Sequence, residues 1–164
     1  MEGARLATEA DLGEIADLAR RAVAELAQGR GGDLWRRREA RQEPLEAEIA
    51  AAIDHDVGGH PGIVVVGTVV DAVVGYGVVH LDELADGGRL AVVDDVYVHH
   101  EARGIGVGEA MMDEMVGFAR REGCVGIDAL VLPGDRHSKN FFETFGLTAR
   151  AIIVHRSLIE EPAP

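Results

Sequence analysis

Two stretches of this sequence hold residue types that do chemistry. The first is Asp94-Asp95, an adjacent acid pair inside the apolar, β-branched run from Leu90 to Val98. Taking an unpaired carboxylate out of water is costly. Acids in such a run therefore either serve a reaction or are satisfied by backbone N–H groups or an arginine. The second stretch follows at once. Arg103-Gly104-Ile105-Gly106-Val107-Gly108 is a glycine-dense turn, and beyond it Val107, Met111, Met115 and Phe118 fall on one helical stripe. The first turn of a helix leaves N–H groups without partners, and its dipole favours negative charge there. Glycines let a ligand come close without meeting a Cβ. Strand, glycine turn and helix start thus make an anion cradle suited to a phosphate ester. No Gly-Lys-Ser/Thr follows, which excludes a P-loop, and the alternation at 104, 106 and 108 departs from G-x-G-x-x-G.

These stretches need a scaffold, and the pattern supplies one. Ala4 to Ala7 reads as a short strand. Thr8 is an N-cap, with Glu9 and Asp11 in the first turn of a helix whose stripe is Leu12, Ile15, Ala19, Ala22 and Leu26. Gly31-Gly32 breaks it. Trp35 and a basic cluster of Arg36, Arg37, Arg38 and Arg41 follow, read as a solvated face. Pro44 opens a second helix with Leu45, Ile49, Ala52 and Ile53 inward. Gly58 to Gly62 is a turn. Strands are expected at Ile63 to Val70 and Val73 to Leu81, joined tightly through Asp71-Ala72. The strand from Leu90, the helix to Gly123 and a parallel strand from Val125 to Leu132 come next. A short helix then runs through Phe145, capped by Gly146. Ala149 to Leu158 reads as a last strand, with a frayed tail from Glu160 to Pro164.

Composition narrows the classes. A chain of 164 residues has room for one domain, and its 27% charged and 47% hydrophobic content is that of a globular protein. A net charge of −13 argues against nucleic-acid binding. The apolar run from Ile63 to Leu81 is interrupted by Asp71 and glycines, so a hairpin is expected rather than a membrane span. Cys124 is the single cysteine, which excludes a disulfide framework and a thiolate zinc cluster. With no basic-then-apolar leader, a cytoplasmic location is expected. His99 and His100 have no third ligand spaced to join them, and no metal is expected.

The turn is similar to the pyrophosphate loop of the GNAT acyltransferase superfamily, R/Q-x-x-G-x-G/A, with Arg103, Gly106 and Gly108 filling the pattern and Val96-Tyr97-Val98 as its lead-in strand. Phe141-Phe142-Glu143-Thr144-Phe145-Gly146-Leu147 resembles the family's F-Y-x-x-x-G-F, and the element order agrees along the full chain. The resemblance implies an α/β fold of α+β type: three layers, α/β/α, around a mixed, mostly antiparallel sheet of six or seven strands, in one domain over 1–164. It also implies acetyl transfer from acetyl-CoA to the amine of a small molecule or peptide by direct attack in a ternary complex. The amides from Gly104 to Gly108, Ile105 and Val107 included, would take the pyrophosphate. Arg103 would add charge or cap the loop, and Lys139 is better signed for a CoA phosphate than Asp135, which is expected to cap a helix. Val96, Tyr97 and Val98 would pair with pantetheine.

The base falls to Asp94 or Asp95, where many relatives carry glutamate. In a regular strand the two face opposite ways, and Asp94 is favoured because it then shares the face of Val96 and Val98. Phe142 stands where relatives use a tyrosine to protonate the thiolate, so His137, another group or solvent must serve. A non-catalytic acyl-CoA-binding module is the alternative. The short run after Leu147 leaves the acceptor cleft open on that side, or completed by a homodimer partner.

Overall fold

Valine and isoleucine crowd the middle of the chain, and they build the sheet expected of them. The computed structural model describes residues 1–159. It holds six strands: β1 (Glu2–Leu6), β2 (Asp56–Val57), β3 (His60–Val69), β4 (Ala72–Glu83), β5 (Arg89–Val98) and β6 (Gly126–Ala129). The sheet order is β1-β3-β4-β5-β6, with β2 paired to the start of β3. Every pairing is antiparallel except β5 with β6, which the crossover helix makes parallel. The helices are α1 (Leu12–Ala27), α2 (Gly32–Arg38), α3 (Leu45–Ile53), α4 (Val107–Arg121) and α5 (Arg136–Thr144).

Alternation along the strands sends side chains into two cores. Val64, Val66, Tyr76, Val78 and Tyr97 pack with α1 and α3 on one face. Ile63, Val65, Val79, Ala91 and Val93 pack with α4 and Phe142 of α5 on the other. Helix α4 sits very close to the sheet. A Cβ on Gly67 would lie 2.4 Å from Val107 Cγ1 and 2.7 Å from Met111 Sδ, so glycine is what permits the approach. No helix among the described residues is long and apolar enough to cross a membrane.

Four local expectations are corrected. The segment after Gly31 forms α2 rather than a plain connection. The β3–β4 turn is Val70-Asp71, one residue earlier, with both residues at positive φ (48° and 68°), the conformation that matches strand twist in a two-residue hairpin. Strand β6 stops at Ala129 instead of Leu132. The run from Ala149 to Leu158 is not a strand. Its composition favours one, but a strand needs a ladder partner, and no described residue pairs with it. Ile152, Ile153 and Val154 are exposed, and an ion pair from Arg150 to Asp128 ties its start to β6. The expected tail from Glu160 lies outside the described residues.

The N-terminus is clamped by a buried acid. Asp11 Oδ2 accepts from the Thr8 amide at 2.8 Å, and Arg5 donates to both Asp11 oxygens at 2.8 and 2.9 Å. The Arg5 hydrogen bond does most to hold the Asp11 carboxyl at about 2, against an ordinary 3.8; burial opposes it and the Thr8 amide assists. A carboxyl lowered in the folded state stabilises above its unfolded value, and that contribution fades as pH falls through the folded one. Asp11→Asn should therefore be less stable than the parent at pH 7. In urea titrations the gap should narrow as pH falls from about 4 toward 2; a gap independent of pH would show that the clamp is not ionic.

Candidate active site

Everything in the site follows from the course of β5. Its ladder with β6 joins Leu90–Val93 to Gly126–Ala129 and then ends. The next residue, Asp94, is the extra one of a β-bulge: Val79 faces Val93, Val78 faces Asp95, and Asp94 has no opposite number on β4. A bulge bends and twists its strand and re-aims the side chains on it. On the other side the chain from Leu130 continues to Pro133, which has no N–H to give a ladder.

The parting opens a cleft of about 430 Å³, with Val96, Tyr97 and Val98 on one wall, Arg103, Gly104 and Gly108 at one end, and Asp135, His137 and Ser138 opposite. From Asp94 to Val98 the backbone groups on the β6 side have no strand partner. At the Arg103 end of the cleft a glycine turn leads directly into α4. Gly104 and Gly106 take φ of 79° and 97°, in the region where a Cβ is penalised. Gly106 is the N-cap of α4 and offers no side chain to it. The first helical bond runs from Ala110 N–H to Gly106 O at 3.0 Å. Among the described residues the amides from Gly104 to Glu109 donate to no protein acceptor. Ile105 is exposed beside them, and Val107 is buried as the first knob of α4.

Arg103 braces the cradle. Its Nε donates to Val98 O at 2.9 Å, its Nη2 to Glu25 Oε2 at 2.8 Å, and its guanidinium lies 5.3 Å from the Tyr97 ring centre. Tyr97 Oη donates to Glu25 Oε1 at 3.0 Å. Burial works against the charged form of Glu25, yet the hydrogen bonds from Arg103 and Tyr97 outweigh it and hold its carboxyl below the usual range. Lys139 is not brought to the cleft; it pairs with Glu143 one turn along α5, at 3.0 Å. Asp135 caps α5, accepting from Ser138 N at 3.1 Å and Ser138 Oγ at 2.6 Å. Phe142 is buried, with no hydroxyl to present, while His137 and Ser138 line the cleft.

The two acids do not face opposite ways, because the bulge turns both toward the α1–α3 side. Tyr76 Oη donates to Asp95 Oδ2 at 2.9 Å, and His80 Nδ1 lies 2.6 Å from Asp94 Oδ2; Tyr76 and His80 share one face of β4. Asp95 is fully engaged. Arg41 Nε and Nη2 reach its two oxygens at 2.9 and 3.0 Å, with both side chains almost buried. Burial disfavours the Arg41 cation, but Asp95 more than compensates and raises its pKa. Burial, then the Asp95 charge, pushes the Tyr76 phenol well above its ordinary value. Among the described residues Asp94 Oδ1 has no hydrogen-bond partner, and Asp94 lines, with Asp95 and Trp35, a smaller cavity of about 80 Å³. That cavity shares Val96, Leu132 and Ser138 with the cleft. The Asp94 hydrogen bond lifts the His80 imidazole above its usual pKa against the opposing effect of burial.

Arg36 and Arg38 remain on a solvated face, paired with Asp33 and Glu39. Arg41 departs from that reading by turning inward. Tyr76, His80 and Glu25 carried no mark in the sequence as site residues; the inward alternation of β4 around Val78 is the signal that places Tyr76 beside the acids.

The profile of the Acetyltransferase (GNAT) family matches residues 21–147. No curated protein matches the chain in sequence. Among solved structures, a tetramutant of the BH1408 protein from Bacillus halodurans is 21% identical, with a TM-score of 0.79 over 94% of this chain and 99% of its own. A ribosomal-protein-alanine N-acetyltransferase from Brucella melitensis biovar Abortus 2308 is 20% identical, with a TM-score of 0.65 over 96% and 99%. An aminoglycoside acetyltransferase from an uncultured soil metagenomic sample, solved with sisomicin, is 17% identical, with a TM-score of 0.69 over 98% and 97%. At these identities the likeness is one of fold.

Breaking the Arg41–Asp95 pair from one side leaves a buried charge alone. Arg41→Met should cost about 3–5 kcal/mol in chemical denaturation, and adding Asp95→Asn, which keeps an acceptor for Tyr76, should restore most of it. A loss in the double variant equal to the sum of the losses in Arg41→Met and Asp95→Asn alone would show the pair is not coupled.

Proposed function

Because the chain belongs to the GNAT acetyltransferase family, we propose that it moves the acetyl group of acetyl-CoA to a primary amine by direct attack in a ternary complex. One observation carries the reading: the cleft that ends at the amide cradle adjoins, through Val96, Leu132 and Ser138, the smaller cavity lined by Asp94. The fit to CoA rests on that cradle. Among the described residues the amides of the first turn of α4 lack protein acceptors, and Gly106 holds a φ of 97°, a conformation that residues with a Cβ rarely adopt. The amides from Gly104 to Gly108 would hold the pyrophosphate, and the free edge of Val96, Tyr97 and Val98 would hold pantetheine. When bound, acetyl-CoA supplies an activated acyl carbon.

The protein's own groups supply the rest. An ammonium has no lone pair, so the acceptor must lose a proton, and Asp94 Oδ1 is the base. The three hydrogen bonds that Asp95 accepts support assigning the task to Asp94. A backbone N–H on the free edge of β5 polarises the thioester carbonyl, an effect typically worth ~3 kcal/mol. With Phe142 in the family tyrosine's place, His137 or Ser138 returns a proton to the departing sulfur. The acceptor side of the gap carries Asp94 and Glu39, with Arg41 and Asp95 neutralising each other, which suits a cationic amine of a small molecule or peptide. The buried Phe142 also supports a second reading, an acyl-CoA-binding module without turnover.

An amine panel with CoA release as readout separates the two: turnover on an amine supports transfer, and binding without turnover supports the module. Asp94→Asn should lower kcat by about 10²–10⁴-fold while CoA affinity stays near that of the parent. Gly106→Glu should abolish CoA binding in calorimetry, whereas Gly106→Asn, which tolerates the backbone but adds no charge, should weaken it less. If both bind like the parent, the cradle is not the phosphate site.

A further inference from the structure

We infer a divalent transition-metal site, suited to zinc, formed by His60, His80 and Asp82 at the end of the β3–β4 hairpin opposite its turn. The sequence spaces these residues as two isolated positions, and the hairpin brings them together: Gly62 pairs with His80, which leaves His60 abreast of Asp82. Asp82 Oδ1 lies 3.0 Å from His80 Nε2 and 3.5 Å from His60 Nδ1. One ligand atom from each residue lies within 4.8 Å of the others, and the two imidazole rings are 5.0 Å apart. Ligands about 2.0–2.1 Å from a tetrahedral zinc stand roughly 3.4 Å from one another. The separations of 3.0 and 3.5 Å are already close to that, and a rotation of the half-exposed His60 side chain would close the third.

The strongest argument lies behind the ligands. His80 Nδ1 faces Asp94 Oδ2 at 2.6 Å, which fixes the ring and leaves Nε2 to face Asp82. A carboxylate behind a metal-bound imidazole is the arrangement that orients the ring and raises its basicity as a ligand. The bulge that turns Asp94 toward His80 thus prepares the histidine from a third strand. Two imidazoles with a carboxylate suit zinc and its neighbours rather than magnesium or calcium. Asp82 and Asp94 together balance a dication, and the exposed side leaves the fourth position to water. The other histidine cluster, His99, His100 and Glu101, lacks this support. His99 Nδ1 accepts from the Glu101 amide, and among the described residues neither ring hydrogen-bonds a carboxylate outside that loop.

The site shares Asp94 with the acetyl-transfer reading but does not depend on it, so its test reads metal binding rather than turnover. Zinc chloride is titrated calorimetrically into chelator-stripped full-length protein without a histidine tag. One equivalent per chain should bind. His60→Ala and Asp82→Asn should each weaken binding by at least 10-fold, Asp94→Asn by about 10–100-fold, and the double variant His99→Ala/His100→Ala should bind as the parent does. Cobalt should give tetrahedral visible bands that His60→Ala removes. His60 is exposed, so its replacement leaves the fold intact. Absence of a binding heat, or binding that survives both His60→Ala and Asp82→Asn, or that disappears with His99 and His100, overturns the site.

Discussion

The parallel ladder between β5 and β6 ends at Val93 and Ala129, one residue before the bulge at Asp94, and the backbone beyond that point must find other partners. Buried N–H and C=O groups are strong hydrogen-bonding groups that a fold rarely leaves unpaired. The edge from Asp94 to Val98 is therefore where we propose that an extended polar ligand pairs. The same bulge turns both acids onto one face, where Asp95 locks to Arg41 and Tyr76 and Asp94 stays partly free. One irregularity in one strand thus makes the gap, supplies the candidate base and orients His80.

The other end of the gap depends on amides more than on formal charge. Arg103 is spent on Glu25 and on Val98 O, and Lys139 on Glu143. What faces the cleft is the start of α4, whose N–H groups point out of a turn that carries no side chain at Gly104 or Gly106. In a chain of net charge −13 this matters, because an anion at the proposed cradle would be received by dipoles at a defined spot against the net negative charge of the chain. Arg103 still serves the cradle, by fixing its distance from β5.

The cradle was legible because its signal is local: glycines, a helix start and an apolar stripe are contiguous in the chain. The two-core sheet was legible because alternation in β3 and β4 is long and regular. The facing of Asp94 and Asp95 was not, since a bulge shifts alternation without leaving a residue type that announces it. Arg41 was hidden for a different reason. It sits in a basic cluster whose other members stay solvated, and only the fold brings it next to Asp95, 54 positions away. The segment from Ala149 to Leu158 shows the limit of composition. Its β-branched residues favour a strand, but the ladder that makes a strand must come from elsewhere. His80 joins residues of three strands, a relation that no spacing along one of them reveals.

The central claim is that the β5 edge and the α4 amides receive one ligand together. A titration of coenzyme A into nitrogen-15-labelled protein, followed by amide resonances, tests it most directly. The account predicts that the amides of Val96, Val98, Gly104, Gly106 and Gly108 shift along one binding curve, while those of β1 and α3 stay in place. Shifts confined to other elements, or a cradle and an edge that respond with different affinities, would contradict it.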